Sequence, residues 1–144
     1  MNTFVLNRTD DAAFSRIDEL LHMLEPAAPH LDRERLRELI ESGRMSLYIA
    51  ESQEHVIMGM LTLTFCPTLS RDKYWIEDVI VDDAFRGLGV GRALVNAAVE
   101  DFRKKEGSPA LYLTSNPSRT AARNLYRSAG FEEYETGVFR IIDK

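Results

Sequence analysis

The segment Arg86-Gly87-Leu88-Gly89-Val90-Gly91 is the most informative part of the sequence, because it joins a strand-like segment to a helix-like one. Residues 75–81 before it are rich in β-branched side chains, which favour strands. Residues 92–106 after it contain neither Gly nor Pro, and their apolar side chains recur at helical spacing. Alternating glycines let the backbone approach a ligand closely, and the N-terminus of the following helix is the positive end of the helix dipole. The stretch therefore predicts a strand–loop–helix unit that binds a pyrophosphate.

Two well-known phosphate loops do not fit this stretch. A P-loop carries a lysine directly after its last glycine, whereas Arg92 follows Gly91 here. This difference argues against a site for a nucleoside triphosphate. The dinucleotide-binding fingerprint needs a third glycine where Arg92 stands. On the loop alone, a glycine-rich turn that only tightens a strand–helix connection remains an alternative.

A second motif lies downstream of this loop. Residues 111–114 predict a short strand, and Asn116 with Pro117 predicts the N-cap and first residue of a helix. That helix is expected to end at Gly130. The order strand, loop, helix, strand, helix predicts a βαβ unit with parallel strands and a right-handed crossover.

Both motifs resemble one protein family. The pattern Gln/Arg-x-x-Gly-x-Gly/Ala, matched by Arg86, Gly89 and Gly91, resembles the acyl-CoA loop of the GCN5-related N-acetyltransferases (GNAT family). The second signature of the family is similar to a phrase built from Arg119, Ala122, Tyr126, Gly130 and Phe131. The resemblance covers about residues 74–131 by specific motifs and the other segments by the order of predicted elements.

The resemblance implies a mixed α/β fold. A central mixed sheet of about seven strands flanked by four helices is expected, in the order β-α-α-β-β-β-α-β-α-β-β. Residues 4–6 predict the first strand, residues 46–51 and 56–64 predict a hairpin, and residues 132–135 and 138–142 predict two closing strands. Asp10 or Asp11 and then Asp32 predict the caps of the first two helices. By its length the chain is expected to form one domain, residues 1–144.

Acetyl-CoA is the cofactor that the resemblance implies, as acyl donor. In the family, a bulge and splayed strands at the fourth strand free backbone groups that pair with the pantetheine arm, and a backbone N–H there polarises the thioester carbonyl. The glycine-rich loop holds the pyrophosphate, and a tyrosine on the later helix faces the sulfur. That tyrosine maps onto Tyr126, which is expected to protonate the leaving thiolate; the alternative is a tyrosine that only fills the core. The implied cofactor-binding residues are Val79, Ile80, Val81, Arg86, Gly87, Leu88, Gly89, Val90, Gly91, Arg92, Asn116, Arg119 and Tyr126.

Glu77 is the candidate catalytic base. A carboxylate within an apolar strand is costly to bury unless it is paired or faces a cavity, and burial would raise its pKa toward useful values. Strand alternation places Glu77 and the neighbouring Asp78 on opposite faces, so that only one faces the cofactor. Three assignments stay open at this point: Glu77, Asp78, or no side chain because the amine arrives deprotonated.

Charge and composition exclude some partners. The formal net charge of −5 lies in residues 1–60, and an acidic chain argues against nucleic acid as a partner while favouring a cationic acceptor. Arg119, Arg123 and Arg127 are spaced to lie along one side of a helix, where an anionic cofactor would be attracted. No apolar run is long enough for a membrane span and no signal peptide is evident, so a cytoplasmic location without membrane association is expected.

Metal binding and disulfides are not expected. His22, His30 and His55 are scattered without the spacing of metal ligands, and His30 is expected in a surface loop. The single cysteine, Cys66, excludes an internal disulfide and is interpreted as structural.

The sequence therefore predicts an acetyl-CoA-dependent N-acetyltransferase. Direct transfer in a ternary complex to the primary amine of a small molecule is the first expectation. A non-catalytic CoA-binding sensor or regulatory module, and a protein or peptide N-acetyltransferase, are the alternatives. Homodimers are common in the family that the chain resembles, although no residue in the sequence predicts an interface.

Overall fold

The computed structural model describes residues 1–143 and forms a mixed α/β fold. The elements in chain order are β1 (Asn2–Val5), α1 (Asp11–Leu24), α2 (Arg33–Glu41), β2 (Met45–Glu51), β3 (Ile57–Pro67), β4 (Asp72–Val81), α3 (Val90–Arg103), β5 (Ala110–Tyr112) and α4 (Thr120–Ser128). A 3₁₀ turn at Asp83–Phe85 lies between β4 and α3. The contacts divide the chain into two compact units, residues 1–114 and a second unit that begins at Ser115. None of the helices in residues 1–143 has the length and apolarity needed to span a bilayer.

The predicted caps of the first two helices are confirmed. The Asp10 carboxylate accepts a hydrogen bond from the Ala13 N–H at 2.7 Å, and the Asp32 carboxylate accepts one from the Glu34 N–H at 3.4 Å. Each bond satisfies a backbone donor that the first helical turn leaves without a partner.

The five strands form one sheet in the order β1-β2-β3-β4-β5. The first four pair antiparallel, whereas β4 and β5 pair in parallel, as the βαβ motif predicts. This parallel pairing is short, running from Lys73 opposite Ala110 to Trp75 opposite Tyr112. The rest of β4 therefore extends beyond its parallel neighbour.

Alternation along the strands divides the first unit into two layers. One sheet face packs against α1 and α2 in a core of Leu6, Ile17, Leu20, Leu36, Leu47, Ile49 and Met60. The other face packs against α3, whose buried side chains are Val90, Leu94, Val95 and Ala98. Residues of one strand alternate between these layers because successive side chains point to opposite faces.

Gly59 on β3 fixes how closely α3 approaches the sheet. A Cβ atom at this position would lie 2.8 Å from the Ile80 carbonyl oxygen, 3.2 Å from Val90 Cγ1 and 3.3 Å from Leu94 Cδ1. Such distances leave no room for a side chain. Glycine therefore permits the contact that holds the N-terminal half of α3 against β4.

The predicted fold class is confirmed, but the sheet has five strands instead of about seven. The two closing strands predicted at 132–135 and 138–142 are wrong, since residues 131–143 contain no regular element. Strand structure depends on a neighbouring strand that pairs with the backbone, and no such ladder includes these residues in the described chain. Their apolar side chains also gain little burial, with Phe139 98% and Ile141 97% exposed.

The predicted start of the last helix is also wrong. Asn116 does not cap α4, which begins at Thr120 with Arg119 at the N-cap position. The Asn116 side-chain oxygen instead accepts hydrogen bonds from the Ser118 N–H at 3.0 Å and the Ser118 hydroxyl at 2.9 Å. This local turn competes with helix initiation, as Asn side chains commonly do.

Candidate active site

The second half of β4 contains a β-bulge. Thr62 is opposite Glu77 and Met60 is opposite Ile80, so one residue of β3 faces two residues of β4. Asp78, one of these two, has φ +48°, a left-handed conformation that few non-glycine residues adopt. The extra residue interrupts the period of two along the strand and reorients the side chains next to it.

One edge of this half-strand is open. Pairing between β4 and β5 stops at Trp75, and no other strand of the described sheet lies beside residues 76–81 on that edge. The predicted cofactor-binding residues Val79, Ile80 and Val81 lie in this stretch. Backbone N–H and C=O groups on an unpaired edge can hydrogen-bond an extended ligand, as a further strand would.

The bulge places Glu77 and Asp78 on the same side of the sheet. The Thr62 hydroxyl donates a hydrogen bond to the Asp78 carboxylate at 3.0 Å, while Glu77 is the cross-strand partner of Thr62. Side chains of directly opposite residues share one face, so all three lie together. The prediction that alternation separates the two carboxylates is therefore wrong, because it assumed a regular strand.

The position of Glu77 changes its acidity. Its side chain remains accessible to solvent, but the surrounding protein reduces its hydration and raises its pKa above the ordinary value for Glu. The neighbouring Asp78 carboxylate adds to this upward shift in pKa, because two like charges disfavour ionisation. A carboxylate with a raised pKa is a better proton acceptor at neutral pH.

The glycine-rich loop is open and forms the start of α3. Gly87 has φ +79° and Gly89 has φ +80°, and a Cβ at either position would meet no described atom within 4 Å. Gly89 is the N-cap of α3, and no side chain in the described structure caps this helix. Its first-turn N–H groups thus provide donors for an anion.

The predicted loop residues differ in what they can offer a ligand. The side chains of Leu88, Arg86 and Arg92 are exposed, whereas the Val90 side chain is buried, so that only its backbone can contact a ligand. Gly91 lies within the first turn of α3, which begins two residues before the predicted segment 92–106. The Arg86 guanidinium lies 2.9 Å from the Asp83 carboxylate in an exposed pair.

Arg16 of α1 anchors the entry to this loop, a role that the sequence did not reveal. Its guanidinium donates hydrogen bonds to the Asp82 carboxylate at 2.6 Å and to the Ile57 carbonyl at 2.9 Å. This contact lowers the pKa of Asp82, whose other oxygen accepts from the Ala84 N–H at 2.9 Å. No local pattern signals a contact between residues so far apart in the chain.

In the second unit, Tyr126 is only 8% exposed and contacts Phe131 edge to face, with ring centroids 6.1 Å apart. Burial raises the pKa of the phenol, while the charge of Arg119 acts in the opposite direction. The hydroxyl therefore remains protonated at neutral pH and can donate a proton.

Two members of the predicted arginine stripe are ion-paired, since both Arg123 and Arg127 contact Glu133.

Comparison with known proteins identifies the family. A family model described as the acetyltransferase (GNAT) family matches residues 14–131, most of the chain. The chain belongs to the GNAT family. Members of this family use acetyl-CoA as donor.

Curated relatives of this GNAT chain are longer proteins. An uncharacterized N-acetyltransferase of Methanocaldococcus jannaschii is 40% identical over 71 residues, covering 48% of the chain and 31% of that relative. An N-alpha-acetyltransferase of Sulfurisphaera tokodaii is 32% identical over 75 residues, covering 52% of the chain and 44% of the relative. The chain thus spans less than half the length of these relatives.

Solved structures share the fold across nearly the whole chain. A Trypanosoma brucei acetyltransferase has a TM-score of 0.79 at 25% identity, covering 98% of this chain and 99% of that one. An aminoglycoside acetyltransferase from an uncultured soil metagenomic sample, in complex with trehalose, has a TM-score of 0.81 at 20% identity, covering 99% and 96%.

Two features in residues 1–114 have a geometry that suits a CoA ester. The open positive-φ glycines and the uncapped start of α3 suit a pyrophosphate, and the unpaired edge of β4 suits an extended amide-containing arm. Both features belong to the unit formed by residues 1–114.

Two histidines that look unrelated in sequence form a cluster with Asp18. One side-chain ligand atom from each of Asp18, His22 and His30 lies within 4.8 Å of the others. Both ring nitrogens of His22, however, face backbone carbonyls, Nδ1 at 2.7 Å from Asp18 O and Nε2 at 2.8 Å from Ala28 O. These contacts raise the pKa of His22, because only an imidazolium donates from both nitrogens. Protonated His22 therefore satisfies both of its ring nitrogens with carbonyl oxygens, an arrangement that does not favour metal binding. His30 is exposed, as predicted.

Proposed function

We propose that this chain is an acetyl-CoA-dependent N-acetyltransferase that transfers the acetyl group to the primary amine of a small molecule. Direct transfer within a ternary complex is the proposed order of events. The observation that carries the proposal is the bulged, open-edged half of β4 beside the uncapped start of α3. One element can hold the acyl arm while the other holds the pyrophosphate.

Donor binding would use mostly backbone groups. N–H groups of the loop from Gly87 to Gly91 and of the first turn of α3 would contact the pyrophosphate, with Arg86 and Arg92 supplying positive charge. Backbone groups of residues 79–81 would pair with the pantetheine arm, and one N–H would polarise the thioester carbonyl. Asn116 and Arg119 remain proposed contacts from the resemblance alone.

The proton transfers are assigned to Glu77 and Tyr126. Glu77 would take the proton that the acceptor ammonium must lose, directly or through a water, before nitrogen attacks the carbonyl carbon. When the carbon–sulfur bond breaks, Tyr126 would donate its proton to the thiolate, and the second proton that the nitrogen loses as the amide forms would restore the phenol. The raised pKa of Glu77 supports its role, because it makes this carboxylate a stronger proton acceptor near neutral pH. The role of Tyr126 is proposed from the family resemblance.

A small cationic amine is the proposed acceptor. The neighbouring carboxylates of Glu77 and Asp78 would attract an ammonium group, and a solved structure of the same fold is an aminoglycoside acetyltransferase. A protein N-terminus is the second candidate, because one curated relative is an N-alpha-acetyltransferase. A CoA-binding module without turnover is the non-catalytic alternative.

The decisive experiment measures thiol release from acetyl-CoA with polyamines, amino sugars, aminoglycosides, amino acids and short peptides, beside calorimetric titration with CoA. Turnover with a small amine supports the proposal, and turnover with peptides alone favours the second candidate. Tight CoA binding without turnover on the whole panel favours a sensing role. Absence of CoA binding would overturn the proposal.

A matched pair of glycine variants tests where CoA binds. Gly89 and Gly107 share a positive φ, of +80° and +82°, and open surroundings. Gly89→Ala and Gly107→Ala should therefore lose similar stability, about 1–2 kcal/mol, from the strained conformation. Only Gly89→Ala should weaken CoA binding in calorimetry. Equal CoA affinity in the two variants would remove the loop from the donor site.

A further inference from the structure

We propose that Asp78 is a positioning residue for Glu77, held at the bulge of β4 by a hydrogen bond from Thr62. This inference rests on the proposed function, since it assigns Asp78 a role in preparing the base of that reaction. It also assigns different roles to Glu77 and Asp78, two adjacent carboxylates that the sequence alone does not distinguish.

The backbone of Asp78 gives the first argument. A φ of +48° within a strand is unfavourable for a residue with a side chain, and glycine would adopt it without strain. Backbone strain of this kind persists where the surrounding structure enforces it, often at functional sites. Asp adopts this conformation more readily than most residues with a side chain, but glycine would adopt it with less strain, so Asp78 fits the pattern of a strained residue at a functional site.

Thr62 gives the second argument. It is the one buried polar side chain within the described core, 5% exposed, and its hydroxyl donates to Asp78 Oδ2 at 3.0 Å. A buried hydroxyl needs a partner, and this bond fixes the direction of the Asp78 carboxylate. Because Glu77 is the cross-strand partner of Thr62, this bond holds the Asp78 carboxylate on the side chain that lies directly opposite Glu77.

The charged surroundings of Glu77 give the third argument. In residues 1–143, Asp78 is the ionisable group whose charge acts on Glu77, and it opposes ionisation. The guanidinium of Arg16, on the helix α1 that packs on the sheet, contacts Asp82 and Glu19. Glu77 therefore experiences a like charge that no described cation offsets.

The first test removes the charge and keeps the geometry. Asn tolerates a positive φ and its side-chain oxygen can accept the Thr62 hydrogen, so Asp78→Asn changes little besides the charge. We expect the Glu77 carboxyl, followed by carbon-13 NMR and assigned with Glu77→Gln, to titrate at a lower pH than in the unsubstituted protein. An unchanged Glu77 titration would overturn the proposal.

The second test removes the anchor and keeps the charge. Thr62→Val has nearly the same shape but no hydroxyl, and Thr62→Ser restores the hydroxyl. We expect Thr62→Val to lower kcat by up to about 100-fold through misplacement of the pair, with smaller changes in KM for acetyl-CoA. Thr62→Ser should recover most of that loss. Full activity in Thr62→Val, with far-UV circular dichroism confirming the fold, would contradict the anchoring role.

The two readouts separate this inference from the proposed function. A protein that binds no CoA and acetylates no amine would overturn the enzyme assignment, while the NMR titration would still show whether Asp78 acts on Glu77. A protein with turnover but with identical pH profiles for the unsubstituted chain and Asp78→Asn would remain an enzyme and would contradict the positioning role.

Discussion

The two halves of β4 differ in regularity and in the strands that pair with them. Residues 72–76 are regular, and residues 73–75 among them pair with both β3 and β5. This half also takes part in aromatic contacts, with Trp75 stacked on Tyr112 at 5.0 Å and Tyr74 near Phe65 at 5.1 Å. Residues 77–81 have a strand on one side only, contain a strained residue and carry two exposed carboxylates. A single strand thus supplies packing at one end and unpaired polar groups at the other.

This difference shows how the fold tolerates an unfavourable site. Strain at Asp78 and the like charges of Glu77 and Asp78 each reduce stability. The burial of Ile76 in the first half of β4 and the contact of α3 at Gly59 offset this loss. Substitutions in the first half should therefore affect folding, whereas substitutions in the second half should affect chemistry.

Truncation of the two isoleucines of β4 should give the largest contrast. Ile76 is 3% exposed, so Ile76→Ala should lower the free energy of unfolding by about 2–5 kcal/mol through lost burial and a cavity. Ile80 is only half-buried, and Ile80→Ala should cost less. Urea unfolding of both variants measures the difference. Equal losses would show that the two halves do not divide stability as argued.

A methyl group at Gly59 should affect both roles at once. The Gly59→Ala Cβ would meet the Ile80 carbonyl oxygen, a backbone atom that cannot move without shifting the bulge, so we expect a loss of about 1–3 kcal/mol. CoA affinity should fall as well, because the start of α3 is displaced. Gly137→Ala, which meets no described atom within 4 Å, is the matched control. Unchanged CoA affinity in a destabilised Gly59→Ala would separate packing from binding.

The regular half of β4 could be predicted from local sequence patterns, whereas the bulge was expected only from the family resemblance. The β-branched run, the glycine-rich loop and the helix after it are local signals, and they placed the strand, the turn and α3 correctly to within a few residues. The bulge depends on register with β3, which residues near Asp78 do not encode locally. The alternating pattern therefore placed Asp78 on the wrong face of the sheet. It also did not indicate the hydrogen bond between Asp78 and Thr62.

The same limit explains the other errors. Residues 132–142 have a plausible strand pattern, but a strand requires a partner elsewhere in the chain, and the pattern does not supply one. The start of α4 was misplaced because Asn116 can cap either a helix or a short turn, and Ser118 decides in favour of the turn. Arg16 and Asp82 lie in separate elements, so only the tertiary structure shows their contact.

The smallest expected effect concerns the stability cost of Glu77 itself. Because its pKa is raised in the folded state, folding is opposed when Glu77 is ionised, and this cost disappears as the pH falls below the unfolded value of 4.5. Glu77→Gln should therefore raise the melting temperature slightly at pH 7 and give no gain at pH 4, while lowering turnover.

Glu106→Gln is the matched control, since Glu106 is an exposed carboxylate beyond the end of α3. Melting curves of both variants at the two pH values measure the difference. A gain in Glu77→Gln that persists at pH 4 would indicate better packing by the amide instead of relief of charge. A loss at pH 7 would show that ionised Glu77 stabilises the fold, in which case the bulged half of β4 would not oppose folding as argued.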